Sequence, residues 1–209
     1  MRPDTPDPAP DQEPTQGLSQ GRSQGLTQEQ TKTMTLEAFA DTIIPGEKRW
    51  PGDRAIAGAA PGGGAVAAGA IELLEWPATG MTDGLDNLVS GVNDHARDYA
   101  AEHGIEPDAS VPPFVALPFE HRTALVQRLT APDHAEKEFW VLLTLFSNMA
   151  FDIGAHRHTA EAIESGHPGL TAMRFAEPNA DGRWRFAEFS YGRPLARLHP
   201  DTIASGSLG

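Results

Sequence analysis

Apolar positions in this chain recur mostly at helical spacing, and stretches rich in glycine and proline separate the runs. Leu36, Phe39, Ala40, Ile43 and Ile44 fall on one helical face, with Thr35 placed as an N-cap and Pro45-Gly46 as a stop. Ala65 to Trp76 predicts a second helix, small residues first and large ones last, ended by Pro77. Its small side chains let a neighbouring backbone come close, so it is expected to be buried. Thr82 caps a third helix with Leu85, Leu88, Val89, Val92, Ala96 and Tyr99 as its stripe and Gly104 at its C-terminal end. Residues 105–117 read as a proline-rich connection. Pro118 then opens a helix carrying Leu125, Val126 and Leu129.

The longest apolar run, Ala135 to Ile153, has a capping-box-like start at Asp133 and Glu136. Phe139, Leu142, Leu143, Phe146, Met149, Ala150 and Ile153 line one face of it. Trp140, Val141 and Leu145 make it apolar nearly all round, which predicts the central helix of the fold. A shorter helix runs from His158 to Ser165 and stops at Gly166-His167-Pro168-Gly169. After Asp181-Gly182 the pattern changes: Trp184 to Tyr191 alternates polar and aromatic, as a short strand or an extended arm would. No partner strand is evident. The expected fold is mainly α, a single irregular helical domain with a disordered N-terminal tail and an extended aromatic C-terminal arm.

Composition places the tail. In residues 1–33 the large apolar side chains after Met1 are Leu18 and Leu26, among repeated Gln-Gly-Leu and Pro-Asp. Such a segment cannot offset its ordering entropy by burial, so the domain is expected at 34–209. A net charge of −13 disfavours nucleic acid or an anionic membrane as partner. The chain has no cysteine, which removes disulfides, thiolate catalysis and Cys-type metal sites. No targeting segment or bilayer-length apolar stretch is visible, so a cytoplasmic location is expected.

Candidate chemistry is sparse. Gly62-Gly63-Gly64-Ala65-Val66-Ala67, with Asp83 downstream, formally fits a dinucleotide fingerprint, but no β-branched strand precedes it and it reads as a turn. Of the eight histidines, His156 pairs at i, i+4 with Asp152; two ligands are too few for a closed zinc site, and His167, His199 or Glu161 would have to supply a third. Ser147, His156 and Asp152 can be written as a nucleophilic triad without the elbow motif that would support it. A stand-alone enzyme would use Asp152 and His156, with Tyr191 as an acid. In an extended arm, Trp184 and Phe186 face one side while Arg185, Phe189 and Tyr191 face the other. With Arg193, the second set has the Arg and aromatic content of an interface anchor, and is the expected partner-binding set.

The wording Thr35-Leu36-Glu37-Ala38-Phe39-Ala40-Asp41-Thr42-Ile43-Ile44-Pro45-Gly46 resembles the opening of the gluconate 2-dehydrogenase subunit 3 family. Phe114-Val115-Ala116-Leu117-Pro118-Phe119-Glu120-His121-Arg122 is similar to that family's mid-region. Gly166-His167-Pro168-Gly169-Leu170 is similar to its glycine- and proline-rich turn, and the tail through Ser190-Tyr191-Gly192 looks like an actinobacterial branch. The resemblance implies a non-catalytic small subunit that binds and stabilises a glucose-methanol-choline-type flavoprotein oxidising an alcohol or sugar. It implies FAD on the large partner and no cofactor on this chain. Exported members carry a twin-arginine signal, absent here, so the implied role is that of a cytoplasmic stabilising subunit.

Overall fold

The computed structural model describes residues 25–177 together with 200–201. Among the described residues the elements are α1 (Gln28–Ile43), α2 (Ala70–Glu75), α3 (Leu85–His103), α4 (Pro113–Ala116), α5 (Phe119–Leu129), α6 (Lys137–Ile153), α7 (Thr159–Glu164) and α8 (Pro168–Ala172), with no strand. The mainly α expectation holds. The aromatic arm, and the first 24 residues, lie outside the described residues.

The central helix is α1, not α6. From Thr35 to Thr42 every residue of α1 is buried, and the helix packs against α2, α3, α4, α5 and α6. It also begins earlier than its apolar stripe. Thr27 is the N-cap, in a capping box with Gln30, because the Gln28–Lys32 stretch is made of good helix formers that extend the helix outward. Thr35, expected at that cap, is instead in the interior and accepts a hydrogen bond from Asn93 Nδ2 at 3.0 Å. Residues 28–33 are therefore helix and belong to the domain, which moves the expected boundary at 33/34 outward.

Around α1 the core is assembled from Leu36, Phe39, Leu74, Leu85, Val92, Phe114, Leu125, Leu129 and Leu143. Phe39 and Phe114 meet with ring centroids 6.0 Å apart. A second, small-residue cluster of Ala40, Ala65, Ala70 and Ala150 brings α1, α2 and α6 close. Of the stripe read for α3, all but the half-buried Leu88 is buried, and Gly104 ends that helix at φ +64°. Before α2, residues 65–69 form a turn where helix was expected, since Gly69 at φ +91° breaks the run. Towards the end, Pro168 begins α8 at the point where the chain was expected only to stop.

The long segment between α1 and α2 is held by polar groups. Asp41, 1% exposed, accepts from Gly46 N–H at 3.0 Å and from Ala57 N–H at 2.8 Å. Burial pushes its carboxyl above the ordinary range, against the pull of those two N–H groups and of Arg122. Ala65 N–H donates to Ile44 carbonyl and Glu47 N–H to Gly62 carbonyl, so the two ends of the segment run side by side. A Cβ on Gly64 would strike the backbone of Ile44 to Gly46, which explains the glycine there. The Gly-rich stretch that mimics a dinucleotide fingerprint is thus a backbone crossing.

Arg122 of α5 fastens the same segment from below. Its guanidinium, in a side chain 5% exposed, donates to the carbonyls of Leu117, Ala55, Arg54 and Val115 at 2.6 to 3.1 Å. Desolvation lowers its pKa to about 10, partly opposed by Asp41. Replacing it strands several buried carbonyls, each worth about 1–3 kcal/mol when left unmet. Arg122→Met is expected to lower unfolding free energy by about 3 kcal/mol or more in urea titration; a loss under about 1 kcal/mol would show that these carbonyls are satisfied without it.

Candidate functional site

Two regions of the surface carry unusual chemistry, and neither is built around Asp152 and His156. The first is a cleft of about 380 Å³ between α1, α2 and the crossing, lined by Glu29, Glu37, Asp41, Glu47, Glu72 and Glu75 with Arg49. Arg49 lies between two carboxylates: Nη2 donates to Glu37 Oε2 at 2.7 Å, and Nε donates to Asp53 Oδ2 at 2.7 Å. These bonds, Glu37's first, raise the guanidinium further above its already high pKa. Burial pushes Asp53 upward, but the Arg49 bond and the Ile56 N–H outweigh it and hold the carboxyl below its usual range. Arg49 also lies 4.7 Å from the Trp50 ring centroid. The charges that face one another here are spent on fixing residues 49–57 against α1, which leaves this a structural clasp rather than an acid–base pair.

Asp152 and His156, the described members of the set a stand-alone enzyme would use, are not hydrogen-bonded to each other. Asp152 is exposed on the last turn of α6, and Ser147 is buried one face away, donating to Leu143 carbonyl at 3.0 Å. His156 follows in the loop after α6, both ring nitrogens sealed from solvent and without a hydrogen-bond partner, so Asp152 does not orient it. Its ring lies against Gly69, where any Cβ would collide with the imidazole. Desolvation lowers its pKa, helped by Arg157 and His167 and opposed by Glu72. Tyr191, Arg185, Phe189 and Arg193, like His199, lie outside the described residues. Among the described residues no group of three or more His, Asp or Glu side chains is placed to hold a metal ion. The histidine that does organise this end is His167: its Nε2 is 3.0 Å from Ala68 carbonyl and Nδ1 accepts from Leu170 N–H.

The second region is the outer face of α6. Trp140, Leu143, Ser147 and Ala150 form its buried stripe. The apolar positions beside that stripe remain in water: Phe139 is 57% exposed, Leu145 48% and Ile153 49%, with Val141 and Leu142 also exposed. The face read from the sequence is therefore split, with Leu143 and Ala150 inside, Phe146 and Met149 half-buried, and Phe139, Leu142 and Ile153 outside. Its N-terminal half walls a groove of about 410 Å³ against α3, lined by Met81, Leu88, Gly91, Phe139, Trp140 and Leu142. Trp140 is 2% exposed, and its indole N–H has no acceptor among the described residues. A contiguous apolar face of this kind is the mark of an interaction surface.

A profile described as a family of unknown function (DUF5987) matches residues 30–209. The chain belongs to that family. No curated protein and no solved structure matches it. The DUF5987 match opens inside α1 and takes in the clasp, the groove and the whole of α6. Among the described residues of this member, no helix is long and apolar enough to cross a membrane.

Reading the sequence alone missed Arg49, Asp53 and Arg122, because nothing in a string of residues ties a loop arginine to a carboxylate on α1 or a helical arginine to the carbonyls of a distant loop. It did contain the sign of the α6 face: a helix apolar all round has more apolar surface than one core contact covers.

His156 offers a direct check on the local chemistry. Its pKa is depressed in the folded state, so the unfolded chain takes up the proton first, near about pH 6.5. The stability this residue supports is present above that pH and lost as pH falls through the folded value. His156→Leu is expected to keep or raise the melting temperature at about pH 7 and to flatten its decline towards about pH 5. A large drop at neutral pH would mean that the imidazole has a partner in solution.

Proposed function

We propose that this chain is a non-catalytic accessory subunit that binds and stabilises a flavin-dependent oxidoreductase of the glucose-methanol-choline type, through the outer face of α6. The observation that carries the reading is the exposure of Phe139, Leu142, Leu145 and Ile153 along one side of a helix that is otherwise part of the core. Water-exposed apolar area on that scale costs solubility unless something covers it. The class of partner rests on the sequence resemblance of the first helix, the mid-region and the late turn to small subunits of such flavoproteins. FAD belongs to the large partner in this reading, and this chain supplies surface rather than chemistry. The arm residues Arg185, Phe189, Tyr191 and Arg193 are a second contact in the same proposal.

The test is coexpression with a flavoprotein encoded beside this chain. Size exclusion is expected to give a yellow complex containing both proteins. Leu145→Glu combined with Ile153→Glu is expected to change the melting temperature of the isolated chain little, because both side chains are already about half in water. The same pair should abolish co-elution, since burying each such side chain is worth about 1.5–3 kcal/mol, or roughly tenfold or more in affinity. A flavoprotein equally soluble, active and monomeric without this chain would sink the reading, as would substrate turnover by the isolated chain that is lost in His156→Ala.

A further inference from the structure

The groove between α3 and α6 takes in only part of the exposed α6 face. Phe139 and Leu142 line it together with Met81, Leu88, Gly91 and the Trp140 ring, whereas Leu145 and Ile153 do not. Trp140 is buried, and its indole N–H has no acceptor among the described residues. At the other end of α6, Gly169 of α8 lies so close to the Phe151 carbonyl that no Cβ fits between them. Phe175 N–H then donates back to Leu170 carbonyl, which keeps the chain at that end of α6. Glu177, the last residue of this described stretch, follows two residues later.

We propose that this groove receives the chain's own C-terminal segment, with Trp184 and Phe186 as the side chains that fill it. The length fits. Phe139 and Ile153 are about 21 Å apart along α6, at a rise of about 1.5 Å per residue. From Glu177 to Trp184, the first aromatic residue after Phe175, an extended chain covers roughly 24 Å. The charge fits too. Residues 178–199 carry Arg183, Arg185, Arg193 and Arg197 against Asp181 and Glu188, a net +2 on a chain whose total is −13. An extended segment also brings backbone carbonyls, the acceptor that the Trp140 N–H lacks. The family match runs through to residue 209, so the segment is part of the family's own unit. With the Trp184 and Phe186 side in the groove, the Arg185, Phe189 and Tyr191 side is turned outward, and Leu145 and Ile153 stay open to a partner. A second copy of the chain is a poorer occupant, because two bodies of this net charge repel each other.

The experiment is a double-mutant cycle in the full chain, read by melting temperature with sedimentation alongside. Trp184→Ser with Phe186→Ser is expected to lower the melting temperature by about 4 °C or more, the shift that losing buried aromatic area gives in a chain of this size. Phe139→Ser with Leu142→Ser is expected to lower it as well. All four changes together should cost little more than the larger pair alone, since each pair removes the same contact. Arg185→Ser with Tyr191→Ser should leave the melting temperature unchanged, and the chain should sediment as a monomer throughout. A Trp184 and Phe186 variant without effect, or losses that simply add, would overturn the proposal. So would an equal loss in the Arg185 and Tyr191 variant, because the opposite side of the segment would then be the buried one. A sedimentation coefficient that rises with concentration and falls back in the Phe139 and Leu142 variant would give the groove to a second copy and overturn it equally. These melts need no flavoprotein, so they decide the place of the segment by themselves, whereas failed co-elution would remove the accessory-subunit reading alone.

Discussion

Asp41 sits in the last turn of the most buried helix with both carboxylate oxygens committed to backbone N–H groups of the segment that follows, those of Gly46 and Ala57. A carboxylate at 1% exposure is tolerable only with such partners, and the segment of 45–64 has no regular structure of its own to satisfy its amides. Each therefore depends on the other. Glu37, one turn earlier on α1, extends the arrangement through Arg49 to Asp53, and Arg122 meets four carbonyls, of which those of Arg54 and Ala55 belong to the segment. Helix α1 is central because its polar side chains have these partners, and could not be so without them.

Placing α1 at the centre decides the position of α6. One side of α6 is used up against α1, α2, α5 and α8, along the stripe Trp140, Leu143, Ser147 and Ala150. Nothing among the described residues covers the opposite side, although its side chains are as apolar as those inside. The high negative charge of the chain offsets part of the aggregation risk that such a face brings.

Much of the local structure could be read directly from residues. Helix α3 has one clean stripe and a glycine end, and it buries that stripe apart from the half-buried Leu88, with Asn93 and Ala100 added. Helix α5 was equally plain from Pro118 and the Leu125, Val126 and Leu129 positions, though the same reading gave no sign that Arg122 would be buried among them. The start of α1 was misplaced at Thr35 because a threonine before an apolar stripe looks like a cap, whereas the polar turn from Gln28 to Lys32 continues the helix outward to Thr27. The triad of Ser147, His156 and Asp152 is close in sequence yet not joined by hydrogen bonds: Ser147 and Asp152 fall on different faces of α6, and the helix stops at Ile153, so His156 leaves it before the i, i+4 spacing can pair it with Asp152.

The sequence by itself determined that the chain is helical, where most of its helices lie, and that α6 carries apolar residues on nearly its whole circumference. These are properties of spacing, capping and side-chain type, which act over a few residues. Only the tertiary structure decided that α1 is the buried centre, that Arg49 and Arg122 fasten the long segment, and that half of the α6 face is left to water. Those outcomes turn on which surfaces compete for the same core. That competition is settled by polar groups far apart in the chain finding partners when they meet, and helical periodicity has no term for it.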